Sequence, residues 1–581
     1  MTTAAKPALS YHIAIDEPQT HYIDVTMRLD NWNKDELTLK LPVWTPGSYL
    51  VREFARKIDS FAATTADGKA LKSEKTRKNT WRINTQNTQN IVVKYRVYAF
   101  EFSVRTSFVD IDHASINPAS VLMFADGLQD QAATLHIKPY SHWKSISTPL
   151  DPIGSDPFAL QVPNYDTLVD SPIEIGNHEI HKFVAAGIPH ELAIIGSGNY
   201  NVANMIADIQ KIASEEAAVF GEHPCSRYLI LNHNTDGMYG GLEHLNSCSL
   251  TFPRWDYANK YGRWQGLMSH EYFHLWNVKR VRPKELGPFD YDNENYTHLL
   301  WLSEGTTSYY DDLILRRNGL LSVDAYLNIV AGNINDLENK PGDKVQSVAE
   351  SSWDAWIKYY RADEHFDNIS MSYYMKGAVI SNLLDLEILH NTKGKKSFDD
   401  VLRYLYDEYY KKQGRGITDA EMQKAVEKIA GKSLDQFFAD YIFGTQTPDY
   451  NQYLGYAGLR LENTNSNNSK IWLGMTTKTD NGKLLIAKTL STGNAYRYGL
   501  NVNDEIIAID NYRVNNDALL ETLLNRKKAG DEVVFLISRA GILKTIPVVL
   551  ATDSTVSYRI VRVDKPNSAQ RKIYHQWLKT E

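Results

Sequence analysis

The chain has 581 residues, which is more than one hydrophobic core accommodates, and this length predicts about three to five domains. Charged residues make up 23% and hydrophobic residues 43%, a composition typical of globular proteins that excludes a disordered or fibrous class. A nucleic-acid partner is not expected, because the formal net charge is −7 and no long basic stretch occurs.

The expected compartment follows from three features of the sequence. The N-terminus has no apolar run of the length that a signal peptide needs. No stretch of about 18 apolar residues occurs, so no membrane span is predicted. Cys225 and Cys248 are the only cysteines, too few for a disulfide framework in so long a chain, which fits a reducing environment. We therefore expect a cytoplasmic protein, and a periplasmic one if a leader has been removed.

The first 165 residues are predicted to form a β-sandwich-like domain. Short alternating segments such as His21–Met27 are separated by turn residues such as those of Trp44–Ser48. The pattern then changes: helical periodicity runs from near Val202 to Phe220, and Tyr228–Leu231 is typical of a buried strand. A further helix is predicted to begin near Tyr257.

The second half of the chain changes from helical to β-type patterning. Residues 321–450 are predicted to form an α-helical domain, and alternation typical of strands occupies residues 453–552. Within that part, the segment Tyr498–Asp510 resembles the centre of a PDZ domain. Residues 553–581 contain Tyr574 and Trp577, so this tail is expected to pack back onto the body.

A zinc site is predicted from the segment His270–His274, which has the pattern HExxH. On a helix, positions i and i+4 share a face, so His270 and His274 can bind one Zn²⁺ while Glu271 points at the open position of the metal. A third ligand is available downstream, where Glu304 lies early in a second helical segment. Two histidines and one glutamate leave the fourth position for water, as in catalytic zinc sites.

Two other segments resemble motifs of aminopeptidases of the gluzincin clan. The segment Gly240-Gly241-Leu242-Glu243 resembles the GAMEN strand, which implies that Gly240 and Gly241 line the substrate and that Glu243 binds its α-ammonium group. The alternative for Glu243 is a solvated carboxylate after a glycine-rich turn. Tyr374 takes the position of the oxyanion-binding tyrosine in a segment similar to YEKG, and Tyr373 is the alternative.

Together, these motifs and the PDZ-like segment resemble the glycyl aminopeptidase family, PDZ-containing relatives of the aminopeptidase N type. The resemblance implies a multidomain α+β protein with an N-terminal β-sandwich-like domain, a thermolysin-like catalytic domain, an α-helical domain and a C-terminal PDZ domain. The predicted boundaries are 1–165, 166–320, 321–450 and 453–552, followed by the tail 553–581. One departure is visible: Glu304 follows His274 by an unusually long spacing for gluzincins, so an insertion around Arg280–Tyr296 has to loop out.

The resemblance also implies the activity. Zinc, one ion per chain, would be held by His270, His274 and Glu304, with Glu271 as general base and Tyr374 on the oxyanion. The expected substrates are peptides with a free N-terminus and a small first residue, glycine or alanine. A zinc endopeptidase that captures substrates through its PDZ domain is the alternative, since PDZ domains bind the C-termini of peptides. A PDZ adaptor without activity is less compatible with the intact motif residues.

Overall fold

The structure is a computed structural model that describes residues 6–466 and 469–580. The outermost ends of the first and last predicted domains, residues 1–5 and 581, lie outside these described residues. Within them, no helix is both long enough and apolar enough to span a membrane. The chain forms two compact units: the first holds residues up to 296 with 310–320 and 402–417, and the second holds 297–309, 321–401 and 418 onwards.

The first unit begins with a β-rich region, as the alternating sequence predicts. Along Tyr22–Asp30 the side chains of Ile23, Val25, Met27 and Leu29 are buried, and the intervening ones are not. The inward side chains of three sheets share one hydrophobic core. In spatial order these sheets are Pro152–Ile153, Asp156–Val162, Ala133–Lys138, Ala8–Ala14, Tyr22–Asp30, Ile91–Tyr98 and Ile58–Thr65; Phe124–Ala125, Glu36–Lys40, Thr80–Asn84 and Ser73–Arg77; and Ser145–Ser147, Ile173–Gly176, Ala114–Ile116 and Phe108–Val109.

The same unit contains a five-stranded sheet that positions the HExxH segment. The short strand Gly240–Glu243 lies at its edge and pairs antiparallel with Ser247–Pro253. Two long helices follow strands of this sheet, and their predicted starts near Val202 and Tyr257 are confirmed. The sheet order is Glu179–Ala185, Ile188–Ile195, Tyr228–Thr235, Ser247–Pro253 and Gly240–Glu243, and the helices of this region are Tyr165–Val169, Val202–Phe220 and Tyr257–Phe273.

The second unit is largely helical around one central helix, Tyr373–Asn391. This helix is buried on nearly all sides, and its buried residues include the charged Lys376, Asp385 and Glu387 beside the apolar ones. The other helices of this unit are Val323–Glu338, Val348–Trp353, Phe366–Ile369, Asp419–Ala430, Asp435–Phe437, Tyr450–Tyr456 and Ser568–Leu578, while Thr307–Arg317 and Phe398–Leu405 contain residues of both units. Among the described residues, three π-helical turns cover Trp301–Thr306, Tyr406–Lys411 and Phe438–Ile442.

A small β domain with its own hydrophobic core forms the C-terminal part of the second unit. Its sheet contains Met475–Asp480, Lys483–Thr489, Glu505–Ile509, Glu532–Arg539 and Ile542–Val549 in that order, and its helices are Asn494–Arg497 and Asp517–Leu524. Shorter strands pair Tyr512–Arg513 with Glu505–Ile509 and Ile471–Trp472 with Ala551–Thr552. This part is the predicted PDZ domain, so the expected α+β multidomain class is confirmed.

The PDZ domain is an insertion between two strands that pair with each other. Leu459–Asn463 lies antiparallel to Tyr558–Arg562, with Asn463 opposite Tyr558. The side chain of Asn335 binds both backbone groups of Tyr558, which fixes the returning strand on the helix Val323–Glu338. The chain therefore enters and leaves the PDZ domain at one point, as chains do at tolerated insertion sites.

After the PDZ domain the chain returns to the helical body through the helix Ser568–Leu578. Trp577 is completely buried there. Its indole N–H donates to the hydroxyl of Tyr309 at 2.9 Å, and that hydroxyl donates to Asp385 at 2.5 Å. The last helix is thus part of the buried core of the helical unit.

We predict that the PDZ domain can be removed without unfolding the helical unit. Replacing residues 464–557 by an Asn-Gly turn joins two strands that are already paired, and this dipeptide suits a two-residue hairpin. Truncation after Thr447 also removes Trp577, and losing a buried tryptophan costs about 3–5 kcal/mol. Far-ultraviolet circular dichroism with thermal unfolding should therefore give a higher midpoint for the deletion than for the truncation. Equal midpoints would contradict the role assigned to the last helix.

Candidate active site

The helix Tyr257–Phe273 carries the HExxH segment and buries one face. Met268, Tyr272 and Phe273 are completely buried. The helix ends at Phe273, but His274 keeps right-handed helical backbone angles, with φ −60° and ψ −18°. His270 and His274 therefore retain the i, i+4 relation that the sequence predicts.

Both histidines are oriented by hydrogen bonds from the Nδ1 nitrogen. Nδ1 of His270 lies 2.9 Å from Oδ2 of Asp311, and Nδ1 of His274 lies 2.7 Å from the carbonyl oxygen of Asn277. Because both partners are acceptors, each Nδ1 carries the proton and each Nε2 keeps its lone pair for a metal. Asp311 and Asn277 were not among the residues singled out from the sequence.

Glu271 lies directly against the edge strand Gly240–Glu243. A Cβ atom at Gly241 would be 2.3 Å from the carboxyl carbon of Glu271, so only glycine allows this approach. One ligand atom each of Glu243, Glu271 and His274 lies within 4.8 Å of the others. The edge strand and the HExxH helix thus bring two carboxylates and an imidazole together.

Glu243 is a buried carboxylate with an unsatisfied oxygen. Its residue is 4% exposed, and its Oε1 atom has no hydrogen-bond partner among the described residues. Gly47 packs onto the carboxylate: its φ is +82°, and a Cβ there would be 2.7 Å from both oxygens. Burying an ionised carboxylate without a partner is costly, so the geometry suits a bound cation.

A cavity of about 220 Å³ borders Glu243. Trp44 and Tyr49, from the turn segment of the N-terminal β region, are part of its wall, and Val278 and Phe289 add apolar surface. The ion pair between Lys279 and Asp170, at 2.8 Å, closes another side. The wall therefore combines apolar surface with charged groups, the acidic Asp166, Asp170 and Glu243 and the basic Lys279 and Arg282.

The second unit holds the two remaining predicted site residues. Glu304 is 2% exposed and lies in the π-helical turn Trp301–Thr306. The next residue, Gly305, packs against Gly377 so closely that a Cβ on Gly305 would be 2.5 Å from the Cα of Gly377. Gly305 follows Glu304 and Gly377 follows Tyr374, so the contact between the two glycines brings these two segments together.

Tyr374 and Tyr373 differ in their surroundings. Tyr373 is completely buried, and its ring stacks on that of Tyr374 at 4.8 Å between centroids. Burial, and then the negative charge of Glu304, raise the pKa of Tyr374 well above its ordinary value. The phenol of Tyr374 consequently stays protonated at neutral pH and can donate a hydrogen bond.

Comparison with known proteins identifies the family. Residues 10–177 match the Peptidase M61 N-terminal domain, residues 263–380 match the M61 glycyl aminopeptidase domain, and residues 460–550 match a PDZ domain. The chain therefore carries the two M61 domains of the glycyl aminopeptidase family and a PDZ domain. The matched peptidase region of this M61 protein contains His270, Glu271, His274, Glu304 and Tyr374.

Solved structures include a relative of nearly the same length. An aminopeptidase N family protein from Idiomarina loihiensis is 28% identical, with a TM-score of 0.90 over 98% of this chain and 100% of that chain. An M1 zinc metallopeptidase from Deinococcus radiodurans with a bound Tyr-Ser-Ala substrate is 13% identical, with a TM-score of 0.49 over 76% of this chain and 94% of that chain. Among curated proteins, none matches the chain.

We predict that Gly241→Ala abolishes most peptidase activity without unfolding the protein. The added methyl group would displace Glu271, and a misplacement of about 1 Å can cost about 10²-fold in rate. Gly266→Ala is the control on the same helix, because nothing lies within 4 Å of its Cβ position, and alanine favours a helix by about 0.5–1 kcal/mol. Urea unfolding should show that both variants are folded. The value of kcat/KM should fall in Gly241→Ala and stay unchanged in Gly266→Ala. Normal activity of Gly241→Ala would contradict the close approach.

Proposed function

We propose that this M61 protein is a zinc-dependent aminopeptidase that removes small N-terminal residues, glycine or alanine, from peptides. The observation that carries the proposal is the buried carboxylate of Glu243, with one oxygen unsatisfied, beside Glu271 and His274. A carboxylate at this distance from a hydrolytic group can fix the α-ammonium group of a substrate one residue from the scissile bond. The preference for a small first residue such as glycine is supported by the match to the M61 glycyl aminopeptidase domain.

The residues fit one zinc ion per chain. His270, His274 and Glu304 offer two imidazole nitrogens and a carboxylate oxygen, the donor set typical of a catalytic zinc site. The orientation of both imidazoles through Nδ1 supports metal binding through Nε2. When bound, zinc polarises the attacking water and the scissile carbonyl group.

Glu271 would act as the general base. It accepts a proton from the attacking water and passes it to the leaving amine. Tyr374 would donate its phenolic hydrogen bond to the oxyanion that forms at the carbonyl group. The absence of side chains at Gly240 and Gly241 would let the substrate backbone lie close to the edge strand.

A zinc endopeptidase with substrate capture through the PDZ domain is the second candidate. It is favoured by the presence of that domain, which suggests peptide binding. An endopeptidase has no need for a free α-ammonium group, so blocked N-termini separate the two candidates.

Metal content tests the zinc ligands. We predict about one zinc per purified chain, and loss of the metal in His274→Ala and Glu304→Ala, because removing one of three ligands weakens binding severely. Glu271→Gln is the matched control: it should keep zinc and fold but lose hydrolysis, since only the proton acceptor is removed. Atomic absorption and peptide hydrolysis measure both. Full zinc occupancy in Glu304→Ala would show that the third ligand lies elsewhere.

Substrates with and without an α-ammonium group test Glu243. We predict that Glu243→Gln costs about 2–4 kcal/mol of transition-state stabilisation for free-amine peptides, because a buried charge pair is lost. N-acetylated peptides should be poor substrates of the unmodified enzyme already, so the two losses should not add. Values of kcat/KM for the free and the acetylated peptide, each with the unmodified enzyme and with Glu243→Gln, give the coupling energy between the carboxylate and the α-ammonium group. Equal cleavage of free and acetylated peptides by the unmodified enzyme would favour an endopeptidase.

A further inference from the structure

Arg105 extends from the β-rich region to the edge strand Gly240–Glu243. Its Nη2 atom donates to the carbonyl oxygen of Gly241 at 3.0 Å. Its Nη1 atom lies 3.8 Å from the position that a Cβ of Gly240 would occupy. The guanidinium group therefore lies beside the two glycines that we propose face the substrate.

The guanidinium group of Arg105 forms no ion pair with an acidic side chain among the described residues. The Nε atom of Arg105 is buried and donates to no acceptor in residues 6–466 and 469–580. The residue is only half-buried, so other donor atoms of the group can still meet a ligand. A partly desolvated cation with an unused donor favours an anion.

The position of Arg105 along the strand indicates which part of a substrate it meets. Glu243 marks the α-ammonium end, and Glu271 packs against Gly241. Gly240, next to Arg105, lies on the far side of Gly241 from Glu243. A peptide whose N-terminus is at Glu243 and whose scissile bond is at Glu271 therefore continues toward Arg105.

The separation fits a short peptide. Gly240 and Glu243 are three residues apart on a strand, which corresponds to about 10 Å. An extended peptide covers about 3.3–3.6 Å per residue, so a chain of two or three residues places its C-terminal carboxylate in this range.

We infer that Arg105 binds the C-terminal carboxylate of the substrate, which makes dipeptides and tripeptides the preferred substrate class. The inference rests on the proposed aminopeptidase function. It specifies the length of the peptide and the group that binds its C-terminal end. The planar guanidinium group can donate to the carbonyl oxygen of Gly241 and to a carboxylate at the same time, whereas one ammonium group has fewer fixed donors. Longer peptides would carry their carboxylate past Arg105 and gain nothing from it.

The test compares Ala-Ala and Ala-Ala-Ala with their C-terminal amides and with alanine arylamide, which has no carboxylate. The unmodified enzyme should prefer the free acids over the amides by about tenfold or more in kcat/KM, the size expected for a charge-assisted hydrogen bond. Arg105→Gln, which keeps a donor for Gly241 but loses the charge, should bring the ratio of acid to amide close to one. Arg105→Lys should keep part of the preference. Arg28→Gln, at an exposed position of the strand Tyr22–Asp30, should leave the ratio unchanged.

Two results would overturn the inference. One is equal turnover of acids and amides by the unmodified enzyme. The other is a parallel loss in Arg105→Gln for acids, amides and the arylamide, which would mean that Arg105 only supports the edge strand.

Failure of the proposed function is distinguishable, since no free-amine substrate, including the arylamide, would then be cleaved. In that case calorimetric binding of Ala-Ala and its amide to Glu271→Gln decides whether Arg105 recognises a carboxylate. Equal affinities, or no binding of either peptide, would overturn the inference there as well.

Discussion

The arrangement of the candidate site depends on two carboxylates, Glu243 and Glu271, that are buried within a few ångströms of each other. Two like charges out of water repel and lose their hydration, so a cation bound beside them would stabilise the arrangement. The α-ammonium group that we propose for Glu243 and a metal near His274 would supply this compensation. Because burial of the two carboxylates is unfavourable without a partner, the site favours the binding of positively charged groups.

Glycine makes this proximity possible. Gly47 and Gly241 let backbone come within contact distance of the two carboxylates, and any side chain at either position would occupy the space of an oxygen atom. In the second unit Gly305 and Gly377 play a comparable part, since their mutual contact brings the segment of Glu304 and the segment of Tyr374 together. The requirement is steric, and at Gly47 the left-handed backbone adds a conformational one.

The PDZ domain has its own hydrophobic core and leaves and rejoins the helical unit at one pair of strands, while the side chain of Asn368 also binds the backbone of Thr489 and Ser491 in the PDZ domain. The C-terminal helix, by contrast, belongs to the helical unit through Trp577, although it follows the PDZ domain in sequence. Order along the chain and membership of a core are therefore separate properties in this protein.

The sequence by itself determined the elements whose signal is local. The helix of the HExxH segment, its i, i+4 histidines and the PDZ domain follow from periodicity and motif, because hydrogen bonding within a helix and alternation along a strand depend on near neighbours. Only the tertiary structure decided the partners that come from distant segments. Asp311 on His270, Gly47 on Glu243 and Arg105 on Gly241 are brought together by packing of separate elements, and no spacing in the sequence encodes that packing.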